Sequence, residues 1–189
     1  MKTEFSEENI VIRPYCEADI PFHFAAARES IPAMHPWMPW CHANYTVEES
    51  ATWIYSRAAE WERNEHYGFA IADAHSNHFL GGVGINFING VHKFANLGYW
   101  VRSSHAGKGI ATTAARLVSR FAFEELDLNR LEIVVALGNT ASERVAEKTG
   151  ATRGGILRGR VCLYDKPHDA TIFSLVKWDS KPWRAKPEV

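Results

Sequence analysis

The segment Gly98 to Thr113, GYWVRSSHAGKGIATT, constrains the chain more than any other. A β-rich run enters it, a turn carrying Gly107 and Gly109 follows, and the clearest amphipathic helix leaves it. Ile110, Ala114, Leu117, Val118 and Phe121 form the apolar stripe of that helix, which is expected to reach Leu126. The first N–H groups of such a helix lack internal partners and carry the positive end of its dipole, so the turn suits an anion. The two glycines admit positive φ and close approach, Ala111 keeps the first turn small, and Lys108 adds charge. An isolated G-x-G serves equally well as a plain turn and cap. The surroundings favour the anion: residues 102–160 hold ten Lys or Arg against six Asp or Glu, in a chain of formal net charge −1.

Around this segment the pattern reads as α/β (α+β). Ile10 to Arg13 alternates and stops at Pro14, a first strand; Asp19 opens a short helix through Ala27. Ile31 to Asn44, IPAMHPWMPWCHAN, has three prolines and two tryptophans, and reads as an apolar loop of the kind that binds something. Thr46 and Glu49 form a capping box for a helix to about Asn64. Gly68 to Asp73, Leu80 to Asn89 and Ala95 to Val101 read as successive antiparallel strands. Leu131 to Leu137 is a further strand, and Thr140 to Thr149 a short helix stopped by Gly150. Strands over Gly155 to Tyr164 and Ala170 to Trp178 close a central, mostly antiparallel sheet of about six to seven strands with about four helices. One domain over 1–189 is expected, with a loosely held tail from about 179.

Composition excludes several classes. Twenty-one Lys plus Arg against 22 Asp plus Glu give no global surface for nucleic acid or an acidic membrane. No stretch approaches about 18 uninterrupted apolar residues and no secretory signal opens the chain, so a cytoplasmic location is expected. Cys16, Cys41 and Cys162 fit neither a disulfide framework nor a zinc site, and the nine histidines occur singly, so no metal is expected.

GYWV, then HAGKGIAT, then NRLEIVVALGNTASERVAEKTGA resemble the GNAT superfamily of acetyltransferases, nearest to its ribosomal-protein N-terminal acetyltransferase (RimJ/RimL-type) branch. The resemblance runs from IVIRP and the WMPW loop to the final HDATIFSLV, and implies the GNAT fold with acetyl-coenzyme A as co-substrate. It places the pyrophosphate-holding loop on Ala106, Gly107, Lys108, Gly109, Ile110 and Ala111, with Thr112 next. Ala106 departs from the usual Gln or Arg, which removes a side-chain contact and no main-chain donor. The strand ending at Val101 and the one from Leu131 are expected to splay, leaving Trp100 and Val101 to pair with the pantetheine amides. Asn139 matches a contact to the coenzyme arm or is only a helix N-cap; Ser142 lies near the thioester sulfur or is only a first-turn residue. The resemblance leaves a homodimer open.

The implied reaction is direct transfer of acetyl to a primary amine. Ser142, or less directly Tyr164, is the candidate proton donor to the departing thiolate. A carboxylate base is missing where relatives often have one, since Asn96 and Val161 stand there; Glu132, Asp169, His168 and His35 are the alternatives. His35, Trp37, Met38 and Trp40 are candidates for contacting the acceptor, with core packing the competing explanation for the aromatics. An α-amine of pKa about 8 is roughly a tenth neutral at pH 7, whereas lysine at about 10.4 is neutral about once in 2,500. Deprotonation therefore costs about 1 kcal/mol against about 4.6, and a site poor in bases suits a protein N-terminus such as that of a ribosomal protein. The alternatives are a small-molecule amine acetyltransferase acting on an antibiotic, polyamine or amino acid, and a non-catalytic coenzyme A sensor.

Overall fold

The computed structural model describes residues 1–178; the expected loose tail from 179 lies outside the described residues. In chain order the elements are β1 (Phe5–Glu7), β2 (Ile10–Pro14), α1 (Ile20–Met34), α2 (Val47–Glu62), β3 (Tyr67–Asp73), β4 (Phe79–Asn89) and β5 (Phe94–Val101). There follow α3 (Ile110–Glu124), β6 (Arg130–Ala136), α4 (Thr140–Thr149), β7 (Thr152–Leu163) and β8 (Lys166–Val176). The strands form one eight-stranded sheet in the order β1-β2-β3-β4-β5-β6-β8-β7. Every neighbouring pair is antiparallel except β5 and β6, which run parallel over Phe94–Asn96 and Arg130–Glu132 only.

Two elements differ from the sequence expectation. β1 is an eighth strand, three residues long, whose Phe5 is 1% exposed and packs edge-on to Phe121 at 6.1 Å. Too short to show a period, it is held by that side chain and by its antiparallel pairing with Ile10–Ile12 of β2. α1 continues past Ala27 to Met34 with Pro32 inside it. The proline falls in the last turn, where it forfeits a single main-chain bond, while buried Ser30 and Met34 flank it and anchor the helix to the molecule.

Side chains alternate across the sheet, so each strand feeds two cores. Phe69 and Ile71 of β3, Val83 and Ile85 of β4 and Leu97 of β5 meet Leu117, Val118 and Phe121 of α3. Phe121 alone has Tyr67 and Phe69 at ring distances of 5.3 and 5.0 Å. On the opposite face, Ala70 and Phe79 meet Ala26 of α1, with Tyr15 and Trp100 beside them. α2 starts at the expected capping box: the Glu49 amide donates to Thr46 Oγ1 (3.3 Å) and the Thr46 amide to Glu49 Oε2 (2.9 Å).

Candidate active site

Beyond Asn96 and Glu132 the parallel pair β5/β6 parts, because β5 stays in register with β4 while β6 stays with β8. The register decides which main-chain groups face the gap. Lys93 C=O accepts from Asn129 on the β6 side (2.7 Å), and the Arg102 N–H donates to Leu80 on the β4 side (2.9 Å). Hydrogen-bonding sides alternate along a strand, so Leu97, Tyr99 and Val101 turn their amides toward the gap, whereas those of Gly98 and Trp100 bond to β4. Val101 therefore turns its amide to the gap, while the Trp100 amide bonds to β4 and the residue lines a second cavity beside the gap.

The gap is a cavity of about 130 Å³ lined by Trp37, Met38, Gly98, Tyr99, Val134, Asn139, Ser142 and Leu163 among others. Ser142 lies in the first turn of α4, and its amide donates to Asn139 Oδ1 at 3.2 Å, so Asn139 is an N-cap as well as a wall residue. The Tyr99 hydroxyl donates to the Ser142 carbonyl at 2.9 Å and meets Ser142 Oγ at 3.1 Å. Burial pushes the Tyr99 phenol up to about 12, so it keeps its proton at neutral pH. Within GYWV, sequence reasoning assigns Tyr99 no role. Strand alternation, which sets it on the opposite face from Trp100, is the signal that could have found it.

At one end of the gap is the glycine turn. Gly107 and Gly109 have φ of +77° and +83°, and a Cβ on either would meet nothing within 4 Å, so the backbone is bare on its outer side. The Thr113 amide makes the first bond of the α3 ladder, to Gly109 at 3.0 Å, which leaves the N–H groups ahead of it without a helical partner. Ile110 and Thr112 bury their side chains, at 7% and 8% exposure, and offer the turn only their amides. The approach to the turn is fixed from α1. Glu29 takes Arg102 Nη2 at 2.5 Å and the Ser104 hydroxyl at 2.8 Å, and Ser30 Oγ takes the Ser103 amide at 2.9 Å. Arg102 holds the Glu29 carboxyl at about 2. These residues fit a bound pyrophosphate: open donors, no occluding Cβ, and exposed Lys108 alongside.

A second cavity, of about 440 Å³, shares Met38, Gly98 and Tyr99 with the first. Its floor carries Gly68, Gly84 and Gly98, register partners across β3, β4 and β5; Arg57, Trp53 and His66 side chains cover the first two, and Gly98 is open. Tyr15, His23, Trp40, Tyr45, Trp53 and Trp100 surround it. His23 is 2% exposed and stacks on Trp53 at 5.2 Å; burial pushes its imidazole down to about 4. Its Nδ1 meets Ser50 Oγ at 3.0 Å, and Ser50 donates to the Tyr45 hydroxyl at 3.1 Å. With the Ser50 proton directed at Tyr45, Nδ1 carries the hydrogen and Nε2 is a bare acceptor. Sequence reasoning singles out neither His23 nor the glycine floor, because the residues involved are scattered from position 15 to position 100.

The remaining candidates lie elsewhere. Met38 and Trp40 line the large cavity, and Trp37 lines the gap rather than the acceptor side. His35 borders neither: its Nδ1 meets Cys41 C=O at 3.1 Å and its carbonyl takes the Tyr164 hydroxyl. Tyr164 thus ties the loop to the β7–β8 turn, away from both cavities. Glu132 pairs with Arg130 at 2.9 Å, Asp169 accepts the Gly159 amide at 2.8 Å, and exposed His168 borders neither cavity. Among the described residues no three His, Cys, Asp or Glu cluster as metal ligands, and no helix is long and apolar enough to cross a membrane.

A sheet splayed between two parallel strands, with an open helix N-terminus at the gap, defines a coenzyme A-type acyltransferase fold. The model for the acetyltransferase (GNAT) domain matches residues 9–152, and the chain belongs to that family. It is 36% identical over 138 residues to the Bacillus subtilis protein named Probable N-acetyltransferase YjcK, covering 72% of this chain and 76% of the relative. It is 28% identical over 97 residues to the ribosomal-protein-serine acetyltransferase of Escherichia coli, 51% of this chain and 54% of that one. The solved structure of RimL, a ribosomal L7/L12 alpha-N-protein acetyltransferase in complex with coenzyme A, superposes with a TM-score of 0.81 at 20% identity, over 90% of this chain and 95% of that chain. The chain is accordingly an N-acetyltransferase of the GNAT fold.

Proposed function

We propose that the chain moves acetyl from acetyl-coenzyme A to the α-amine at a protein N-terminus, a ribosomal protein being the leading candidate, by direct transfer in a ternary complex. The observation that carries this reading is the meeting of the two cavities at Met38, Gly98 and Tyr99. The pantetheine arm enters from the glycine turn along Tyr99 and Val101; the amine arrives from the aromatic side. Its nitrogen attacks the thioester carbonyl, the C–S bond breaks, the thiolate takes a proton from the Ser142 hydroxyl, which recovers one from solvent, and the amine gives up its own proton to solvent. Neither cavity is lined by Cys or Lys, and Ser142 Oγ faces a phenol rather than a base, so no residue is activated to carry the acetyl group.

Two features favour an α-amine. His23, held near 4, does not take a proton from an ammonium group at pH 7, so the acceptor must arrive neutral. The large cavity has one carboxylate in its lining, Glu49, already engaged by the Thr46 amide and by His42 at 3.0 Å, which leaves no acidic surface for a polyamine or aminoglycoside. Two of the three proteins named above, the Escherichia coli ribosomal-protein-serine acetyltransferase and RimL, act on ribosomal proteins by their names, in agreement. The test is an acceptor screen at pH 7 over α-amino peptides, ribosomal-protein N-termini among them, lysine side chains, spermidine and an aminoglycoside. α-Amino peptides are expected to lead; equal or faster acetylation of lysine or the polycations overturns the reading.

A further inference from the structure

Building on that reading, we infer that the large cavity is a selectivity pocket for the first side chain of the acceptor, and that the side chain it takes is an aromatic ring. The floor is the starting point. Gly68, Gly84 and Gly98 lie side by side on three adjacent strands; the side chains of Arg57, Trp53 and His66 pack over the first two, and Gly98 leaves the main chain open. At Gly98 an added Cβ would meet nothing within 4 Å and would project into the opening.

The walls are aromatic from three elements and two loops. Trp40 and Trp100 meet edge to face at 5.7 Å, Tyr15 and Trp53 at 4.8 Å, and His23 and Trp100 at 5.3 Å. Aromatic walls are favoured partners of another ring, edge-on or offset. The far end is closed at Gly82, where a Cβ would come within 2.3 Å of the Tyr15 hydroxyl and 2.6 Å of Trp100 Nε1. That hydroxyl is the buried side-chain polar atom left without a partner among the described residues.

Length then selects the occupant. Gly98 sits at the junction where the amine must lie, opposite Gly84, and Gly82 is two residues further along β4. Two residues of strand span about 7 Å, the reach of one aromatic side chain and more than Ala or Ser can fill. A cavity of about 440 Å³ also exceeds what a small first residue occupies. The α-amine at the thioester and a ring reaching from Gly98 toward Gly82 use this space.

The experiment compares tetrapeptides identical except for a first residue of Phe, Tyr, Leu, Ser or Ala, at saturating acetyl-coenzyme A, alongside phenethylamine as a ring-bearing amine with no peptide. Phe and Tyr are expected to exceed Ala and Ser in kcat/KM by about 10- to 100-fold, with Leu between. Gly98→Val, which fills the slot, should collapse the Phe-to-Ala ratio toward one, with coenzyme A binding followed by calorimetry and folding by circular dichroism. Should that substitution disturb the coenzyme channel, Trp53→Leu, remote from it, reads the same ratio. Acetylation of Ala or Ser peptides as fast as Phe overturns the pocket while leaving the proposed function standing. Turnover of phenethylamine with none of any peptide supports the pocket and sinks the protein-terminus reading.

Discussion

The glycine turn and the aromatic cavity face each other across Gly98 and Tyr99, yet they are made of different material. The turn is a contiguous stretch in which main-chain N–H groups face outward and side chains are small or buried. Its one exposed charge, Lys108, is an addition to that surface. The cavity is mostly side chain, open to the main chain at Gly98, and draws on Tyr15 just past β2, on α1, the 35–45 loop, α2, β3, β4 and β5. A surface of backbone tolerates substitution as long as no Cβ intrudes. A surface of packed rings has its chemistry set by burial, and burial has a pH signature.

That signature is the largest effect expected. The His23 imidazole titrates near 4 in the folded chain and at about 6.5 when unfolded, so between those values the unfolded state binds more protons. Stability conferred by the neutral ring is present above pH 6.5 and is lost as pH falls toward 4, by about 3 kcal/mol in all. His66, pushed down by burial and by Arg57, acts in the same sense. Glu29, held at about 2, contributes only below about 4.5, so the window from 6.5 to 4.5 belongs to the histidines. Urea titrations across that window should give a falling midpoint in the wild-type chain and a clearly flatter profile in His23→Gln. Parallel profiles would mean that the ring is not buried neutral.

The turn should respond to bulk. Gly109→Trp puts a side chain at φ +83° and an indole over the open amides, and acetyl-coenzyme A affinity is expected to fall about 100-fold with the α3 core intact. Calorimetry at low salt, with circular dichroism as the folding control, checks it. An affinity within threefold of wild type would show that the diphosphate is held elsewhere.

This contrast also explains which parts are legible in the sequence. The turn is local, so spacing and hydrophobic period locate it to the residue, and the antiparallel run β3-β4-β5 follows from strands separated by turn signals. The cavity escapes because its members share no sequence neighbourhood: His23 sits on a helix stripe among alanines, and Gly68, Gly84 and Gly98 align only once strand register is known. Tyr164 and His35 look reactive by type, but their bond to each other ties down a loop. The family resemblance draws notice to Ser142 and not to Tyr99, although the two form one hydroxyl pair.

At the seam between the regions, Ser142→Ala should lower kcat about 10-fold or more while changing KM for either substrate little, as expected for a proton donor acting late. Tyr99→Phe should cost less, because Ser142 Oγ stays in place. For both, log kcat/KM should climb with pH at unit slope from 6 until the acceptor amine reaches its own pKa of about 8. No inflection is expected near 6.5, since His23 has no proton to lose there. A break in slope at 6 to 7 would reveal a titrating base within the site.

The smallest effect belongs to Ala106, where the turn lacks the polar side chain usual in its relatives. Ala106 is exposed and extended, with φ −63° and ψ 153°, a conformation any residue adopts, so glutamine enters without strain. Its carboxamide adds one hydrogen bond to a phosphate oxygen, a net gain of about 0.5–1.5 kcal/mol, or about 2- to 10-fold in acetyl-coenzyme A affinity. Because the new group touches only the coenzyme end, peptide KM should stay where it was. If Ala106→Gln altered acceptor selectivity instead, the two regions would be coupled through β5 and could not be tuned apart. If it left both constants unchanged, the main-chain amides already saturate the diphosphate, and the alanine is a neutral choice.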